Sequence, residues 1–223
     1  MISIYHIRSI AKYEVKTLSR SWFFRIFGIL SLVVLFFFNM MTRTNIEGPE
    51  WDIVAIPAGI PYANLLILNV AQAIIAVFLA SDFLKRDKKL DTTEVIYMRS
   101  MTNGDYVIGK TVGNLVVFFA INFIVLLMAL IFNMAVKGHE TDFMAYIYYL
   151  LLISLPTLMF ILGASFLLMS IIRNQAITFI LLLGYIALTL FYLKTKVYYL
   201  FDYMAFNNPL MKSEFVGFSN LNE

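Results

Sequence analysis

The sequence predicts an all-α, polytopic helical membrane protein with five spans and an N-terminal interfacial amphipathic helix. Three observations predict it. Of 223 residues, 61% are hydrophobic and 14% are charged, whereas a soluble domain is about 45–50% apolar and about 25% charged. The charged residues are spaced so that five uncharged gaps remain, of 17, 29, 26, 30 and 20 residues. A helix needs about 20 mostly apolar residues to cross about 30 Å of hydrocarbon. Basic residues alternate between the two sides that those gaps define, which is the bias of cytoplasmic over external loops.

The first element is residues 1–25, with Ile4, Ile7, Ile10, Ala11, Val15 and Leu18 at helical spacing and Arg8, Lys12, Lys16 and Arg20 between them. That pattern predicts a helix lying in the interface, apolar side down and basic side toward anionic lipid headgroups. No cleavable signal peptide is legible, because no small-residue cleavage site follows the basic stretch. The first span is residues 26–42, with Trp22, Phe23 and Phe24 at its cytoplasmic end. Pro57, Gly59 and Pro61 read as a loop, which starts the second span near Tyr62 and gives residues 62–81. The segment 82–110 is the one sizeable cytoplasmic loop. Its Thr102-Asn103-Gly104-Asp105 run is turn chemistry, with Asp105 as the expected N-cap of the next helix.

The third span is residues 111–136. The fourth is residues 143–172, where Pro156 predicts a kink or break. A turn at Arg173 leads into the fifth, residues 174–193. Five, six and one basic residues fall before the first span, in 82–110 and at Arg173, against five on the opposite side. The expected N-terminus is therefore cytoplasmic. The tail, residues 194–223, is then external, and either the protein has five spans or this chain lacks a final one. The whole is one transmembrane domain, residues 1–223, in the cell membrane.

Composition also excludes chemistries. There is no cysteine and only two histidines, His6 and His139, so disulfides, Cys-ligated zinc and iron–sulfur clusters are excluded and a His-rich metal site is not expected. No cofactor, metal ligand set or catalytic residue is assigned, and the net charge of +3 gives no reason to expect nucleic acid. Residues 104–111 match the spacing of a phosphate-binding loop, but Tyr106-Val107-Ile108 is bulky and a span follows Thr111. Such a loop needs small residues between a buried strand and a helix. The plain reading is a Lys110 that snorkels to the interface and a Gly109 that permits close packing. His139-Glu140 begins like a zinc-protease helix, but Phe143 stands where the second His would be.

Within the loop, Asp87, Asp91-Thr92-Thr93-Glu94, Val95-Ile96, Ser100-Met101-Thr102, Tyr106 and Gly109-Lys110 occur in that order. This series resembles the loop between the second and third spans of the type 2 ABC transporter permeases, and the likeness extends over nearly the whole chain. Two departures stand out: the Leu-Leu and Pro usual near 97–102 are absent, and the family usually has six spans. The resemblance implies a permease subunit of an ATP-driven exporter, without a catalytic site of its own. It would work as a homodimer or with a second permease, and with a separate ATPase subunit. ATPase coupling would fall on Asp87, Asp91, Thr93, Glu94, Val95, Tyr97 and Arg99.

No charged residue lies well inside a span, which argues against an ion-coupled carrier. Polar residues recur there: Asn69 and Gln72 in span two, Asn122 in span three, Ser154, Thr157 and Ser165 in span four, and Thr178, Tyr185, Thr189 and Tyr192 in span five. Asn69, Gln72, Asn122, Tyr185 and Thr189 are the candidate substrate path. Ordinary helix packing is the favoured reading of the Ser and Thr hydroxyls and stands even with the path reading for Asn69, Gln72 and Asn122, because amides cost more to bury unpaired. The alternative function is a non-transporting membrane anchor or assembly factor that recruits a cytosolic protein through the same loop.

Overall fold

The computed structural model describes residues 3–44, 58–89, 102–135 and 141–193, with side chains described except at 43–44 and 80–89. Among the described residues there is no strand. Within those residues seven α-helices follow in order: α1 Ile4–Arg20, α2 Trp22–Thr44, α3 Gly59–Lys89, α4 Asn103–Met134, α5 Phe143–Tyr149, α6 Leu155–Ile172 and α7 Gln175–Phe191. A π-helical turn, Leu150–Ser154, joins α5 to α6. Among the described residues four stretches are long and apolar enough to cross a membrane: Trp22–Thr42, Gly59–Leu79, Asn103–Met134 and Phe143–Ile172. α7 is equally apolar but has 17 residues. The chain is a multi-pass helical membrane protein.

Several boundaries differ from those read in the sequence, each for a local reason. α3 starts at Gly59 because Pro61 sits in its first turn, where a missing N–H loses no intrahelical bond. It continues to Lys89, so part of the expected loop is helix. α4 begins at Asn103 and Thr102 precedes it, so Asp105 lies one turn inside and is not the N-cap. The break expected at Pro156 is the π-turn. There the Leu155 N–H reaches back five residues to the Leu150 carbonyl, and the wider turn makes room just before the proline ring.

Two compact units divide the chain. The first holds Met1–Phe27, Gln72–Ala120 and Leu158–Ala187. Its core is Leu18, Phe24, Ala73, Ala76, Val77, Phe118, Leu158, Ile161 and Leu162, all buried. Phe24 meets Phe118 edge-on at 5.5 Å, and Phe78 touches Phe23 at 4.5 Å and Phe179 at 6.0 Å between ring centroids. The turn from α6 to α7 is held by Arg173 at φ 56°, by its N–H on the Met169 carbonyl, and by Asn174. The Asn174 side chain accepts from the Ala176 and Ile177 N–H groups at 3.0 and 3.4 Å, an N-cap for α7.

The second unit holds Gly28–Ala71, Ile121–Thr157 and Leu188–Glu223. Its apolar core is Leu35, Leu65, Leu68, Val125, Ala129, Tyr149 and Ile153. Polar groups are paired inside it. Asn39 and Asn64 exchange two amide hydrogen bonds at 2.7 and 2.9 Å, Ser154 donates to Asn122 at 2.8 Å, and Asn133 donates to the Tyr146 hydroxyl at 3.0 Å. Without water, each amide must find a partner within the protein.

Candidate functional site

The densest polar cluster in the first unit is where α1 lies along the first turns of α4. It is built from two short sequence devices. Thr102 and Asp105 form a capping box: the Asp105 N–H donates to Thr102 Oγ1, and the Thr102 N–H donates to Asp105 Oδ2, both at 3.1 Å. Asp105 Oδ1 also accepts the Ser3 N–H at 2.9 Å, at the start of α1. One fully buried carboxylate therefore serves the N-termini of both helices, where two helix dipoles favour negative charge. His6 Nδ1 stands 3.7 Å from the same carboxylate.

The second device is Gly109-Lys110-Thr111-Val112-Gly113, two glycines one turn apart. A Cβ at Gly109 would lie 2.7 Å from Ile10 Cβ, and one at Gly113 would lie 2.7 Å from Glu14 Cβ and 2.9 Å from the Ala11 carbonyl. Only glycine admits so close an approach, as in small-residue helix seams of membrane proteins. Between the glycines, Lys110 turns inward. Its Nζ is 3.4 Å from Glu14 Oε2 and 5.2 Å from the centre of the Tyr106 ring. The Lys110 and Glu14 side chains are 6% and 1% exposed, so this lysine does not snorkel to the interface. Asn114 donates to the Lys110 carbonyl at 2.8 Å one turn further on.

This pairing also changes the reading of α1. Ile7, Ile10, Ala11 and Leu18, expected to lie on lipid, share the face that carries Glu14; Ile10 and Ala11 of that face pack on Gly109 and Gly113 of α4 and Leu18 is buried, whereas Ile7, Ile10, Ala11 and Val15 stay half-buried and Ile4 is exposed. The phosphate-loop lookalike is helical throughout, with Gly109 in the close-packing role expected of it.

Of the expected coupling residues, Asp87 falls in the last turn of α3, with its side chain outside the described residues. Asp91, Thr93, Glu94, Val95, Tyr97 and Arg99 lie wholly outside the described residues, as do His139 and Glu140 and the tail. The expected path residues are inward: Asn69, Gln72 and Asn122 are fully buried, Thr189 is buried, and Tyr185 is half-buried against Phe160 at 6.1 Å. Asn122 is brought to Ser154. Thr157 and Ser165 instead donate to their own helix carbonyls at 2.7 and 2.6 Å, which is the packing alternative. Among the described residues no group of acidic or histidine side chains could hold a metal.

The α1–α4 cluster was not expected as a site, yet both of its devices are legible. Thr102-x-x-Asp105 is a capping-box spacing, and Glu14 is the one acid on an apolar stripe. The Asn39–Asn64 ring had no such signal, because the two are 25 residues apart. In comparisons with protein-family models, curated proteins and solved structures, nothing matches this chain.

Proposed function

We propose that this chain is the transmembrane permease subunit of an ATP-driven exporter of the ABC type. It sits in the cell membrane with its N-terminus in the cytoplasm, and forms the substrate path with a second copy or a related permease. A separate ATPase subunit supplies the energy. The observation that carries the reading is the length of α3 and α4. With 31 and 32 residues, they extend about 46 and 48 Å at 1.5 Å per residue, well over the hydrocarbon thickness of about 30 Å. The excess of α3 is its charged end up to Lys89, and that of α4 is its capped start at Asn103. The segment that resembles a coupling loop is thus carried between two stiff helical stems, and the second stem is fixed to α1. A docked motor could act on the bundle through those stems.

The test is copurification with an ATP-binding subunit and ATP-dependent transport. Deletion of Asp91 to Ser100 is expected to abolish both, and retention of both would overturn the coupling role. The anchor reading predicts a different result at the path residues. In a permease, Asn69→Leu or Gln72→Leu lowers ATP-dependent movement of substrate while the partner stays bound; in an anchor neither change alters function.

A further inference from the structure

We propose that the outward face of α1 is a binding surface for anionic phospholipid headgroups. Arg8, Lys12, Lys16 and Arg20 follow one another at intervals of four residues, so they form one row along the helix. All four are exposed. Tyr5 and Tyr13, 77% and 62% exposed, lie in the same arc as this row, and Trp22, 75% exposed, stands just past its end.

The charge of that face is set by the fold. Glu14 is the only acidic residue in residues 1–25. It is buried against Lys110 on the opposite side of α1, so its charge is spent inside the protein. The four cations are left with no carboxylate from their own helix beside them. The only histidine of α1, His6, faces Asp105 on α4 and not the row. A solvated helix face ordinarily mixes both signs; this one is uniformly cationic and bordered by tyrosine and tryptophan.

Phosphate-bearing headgroups match both features. Lys and Arg near an anionic leaflet each gain about 1 kcal/mol, and amphipathic aromatic rings settle at headgroup depth. The sequence alone suggests a helix with its apolar stripe in the membrane and its basic side toward headgroups. The structure seats Ile10, Ala11 and Glu14 of that stripe against Gly109 and Gly113 of α4, and the basic row is the exposed face.

Trp22 is a built-in reporter, since Trp51 is the only other tryptophan. The full chain carrying Trp51→Phe, in lipid nanodiscs, would be titrated with acyl-brominated phosphatidylglycerol and, separately, acyl-brominated phosphatidylcholine at equal mole fraction. The first is expected to quench Trp22 about threefold more effectively at low salt, and the difference should collapse at high salt. In the Arg8→Gln, Lys12→Gln, Lys16→Gln, Arg20→Gln variant the two lipids should quench alike. Glutamine preserves helix propensity, and the salt series on the unaltered row needs no variant at all. Equal quenching by the two lipids in the parent overturns the proposal, and is the result expected of a row that serves an acidic protein face. A preference that survives in the four-glutamine variant also overturns it, by placing the anionic-lipid site elsewhere.

Discussion

Asn39 and Asn64 hold each other in a closed ring. Each amide also donates to the carbonyl four residues earlier, at Leu35 and Ile60, at 2.7 and 2.8 Å. Both donors of each NH2 group are therefore used. Replacing one partner strands the other amide in apolar surroundings, which costs about 1–3 kcal/mol. Asn64→Leu is accordingly expected to lower the unfolding free energy in detergent by that amount. The Asn39→Leu, Asn64→Leu double variant should recover most of the loss, because it leaves no orphan. A double variant as unstable as the sum of the singles would show that the ring contributes nothing as a pair. Amides are costly to bury unpaired, which singles out Asn69, Gln72 and Asn122 within the apolar runs of the sequence. The sequence does not pair Asn39 with Asn64, since neither residue carries information about a partner on another helix. Asn122 is the intermediate case: its burial was legible, but its bond to Ser154 was not.

At the scale of elements, the seam between α1 and α4 is the most exacting contact of the first unit. Gly113→Ala would place a methyl 2.7 Å from Glu14 Cβ and 2.9 Å from the Ala11 carbonyl. The second of these is backbone, which cannot rotate away, so α1 must lift. Overpacking of this kind costs about 1–3 kcal/mol. The expected signature is faster tryptic cleavage after Lys12 and Lys16 in the intact protein, with the remaining spans still protected. Unchanged cleavage would mean that α1 is held by Asp105 and the Glu14–Lys110 pair without the glycine seat. Helix existence was legible throughout, because long apolar runs bounded by charge admit little else. Helix ends were less so. Pro61 reads as a breaker in sequence but fits a first turn, and Asp105 reads as a cap because its acceptor role is local, whereas Thr102 takes that position. The π-turn before Pro156 was anticipated only as a break, since the sequence gives the obstacle and not the way the backbone passes it. The apolar stripe of α1 was read correctly as a stripe; whether lipid or another helix covers it depends on Gly109 and Gly113, more than 90 residues away in the chain.

For the molecule as a whole, the distribution of residue types is inverted relative to a water-soluble protein. Asn39, Asn64, Asn69, Gln72, Asn114, Asn122 and Asn133 are buried, whereas Ile29, Phe37, Ile131, Leu167, Ile171 and Ile180 are 62–69% exposed. That arrangement is stable where the surroundings are hydrocarbon and costly in water. Among the described residues four stretches meet the length of a span and α7 is the marginal one: at 1.5 Å per residue its 17 residues reach about 26 Å, slightly under the hydrocarbon thickness, which a locally thinned bilayer or flanking residues can accommodate. The side on which the chain emerges after α7 therefore decides between four and five spans. Because the protein has no cysteine, single cysteines report cleanly on this point. With five spans and a cytoplasmic N-terminus, a membrane-impermeant maleimide labels Lys196→Cys on intact cells but labels Tyr5→Cys and Arg173→Cys only after permeabilisation. If positions 173 and 196 label together, α7 does not cross, and the tail shares the compartment of the turn at Arg173. If position 5 labels on intact cells, the orientation is reversed, and the segment from Asp91 to Arg99 faces away from any cytosolic ATPase.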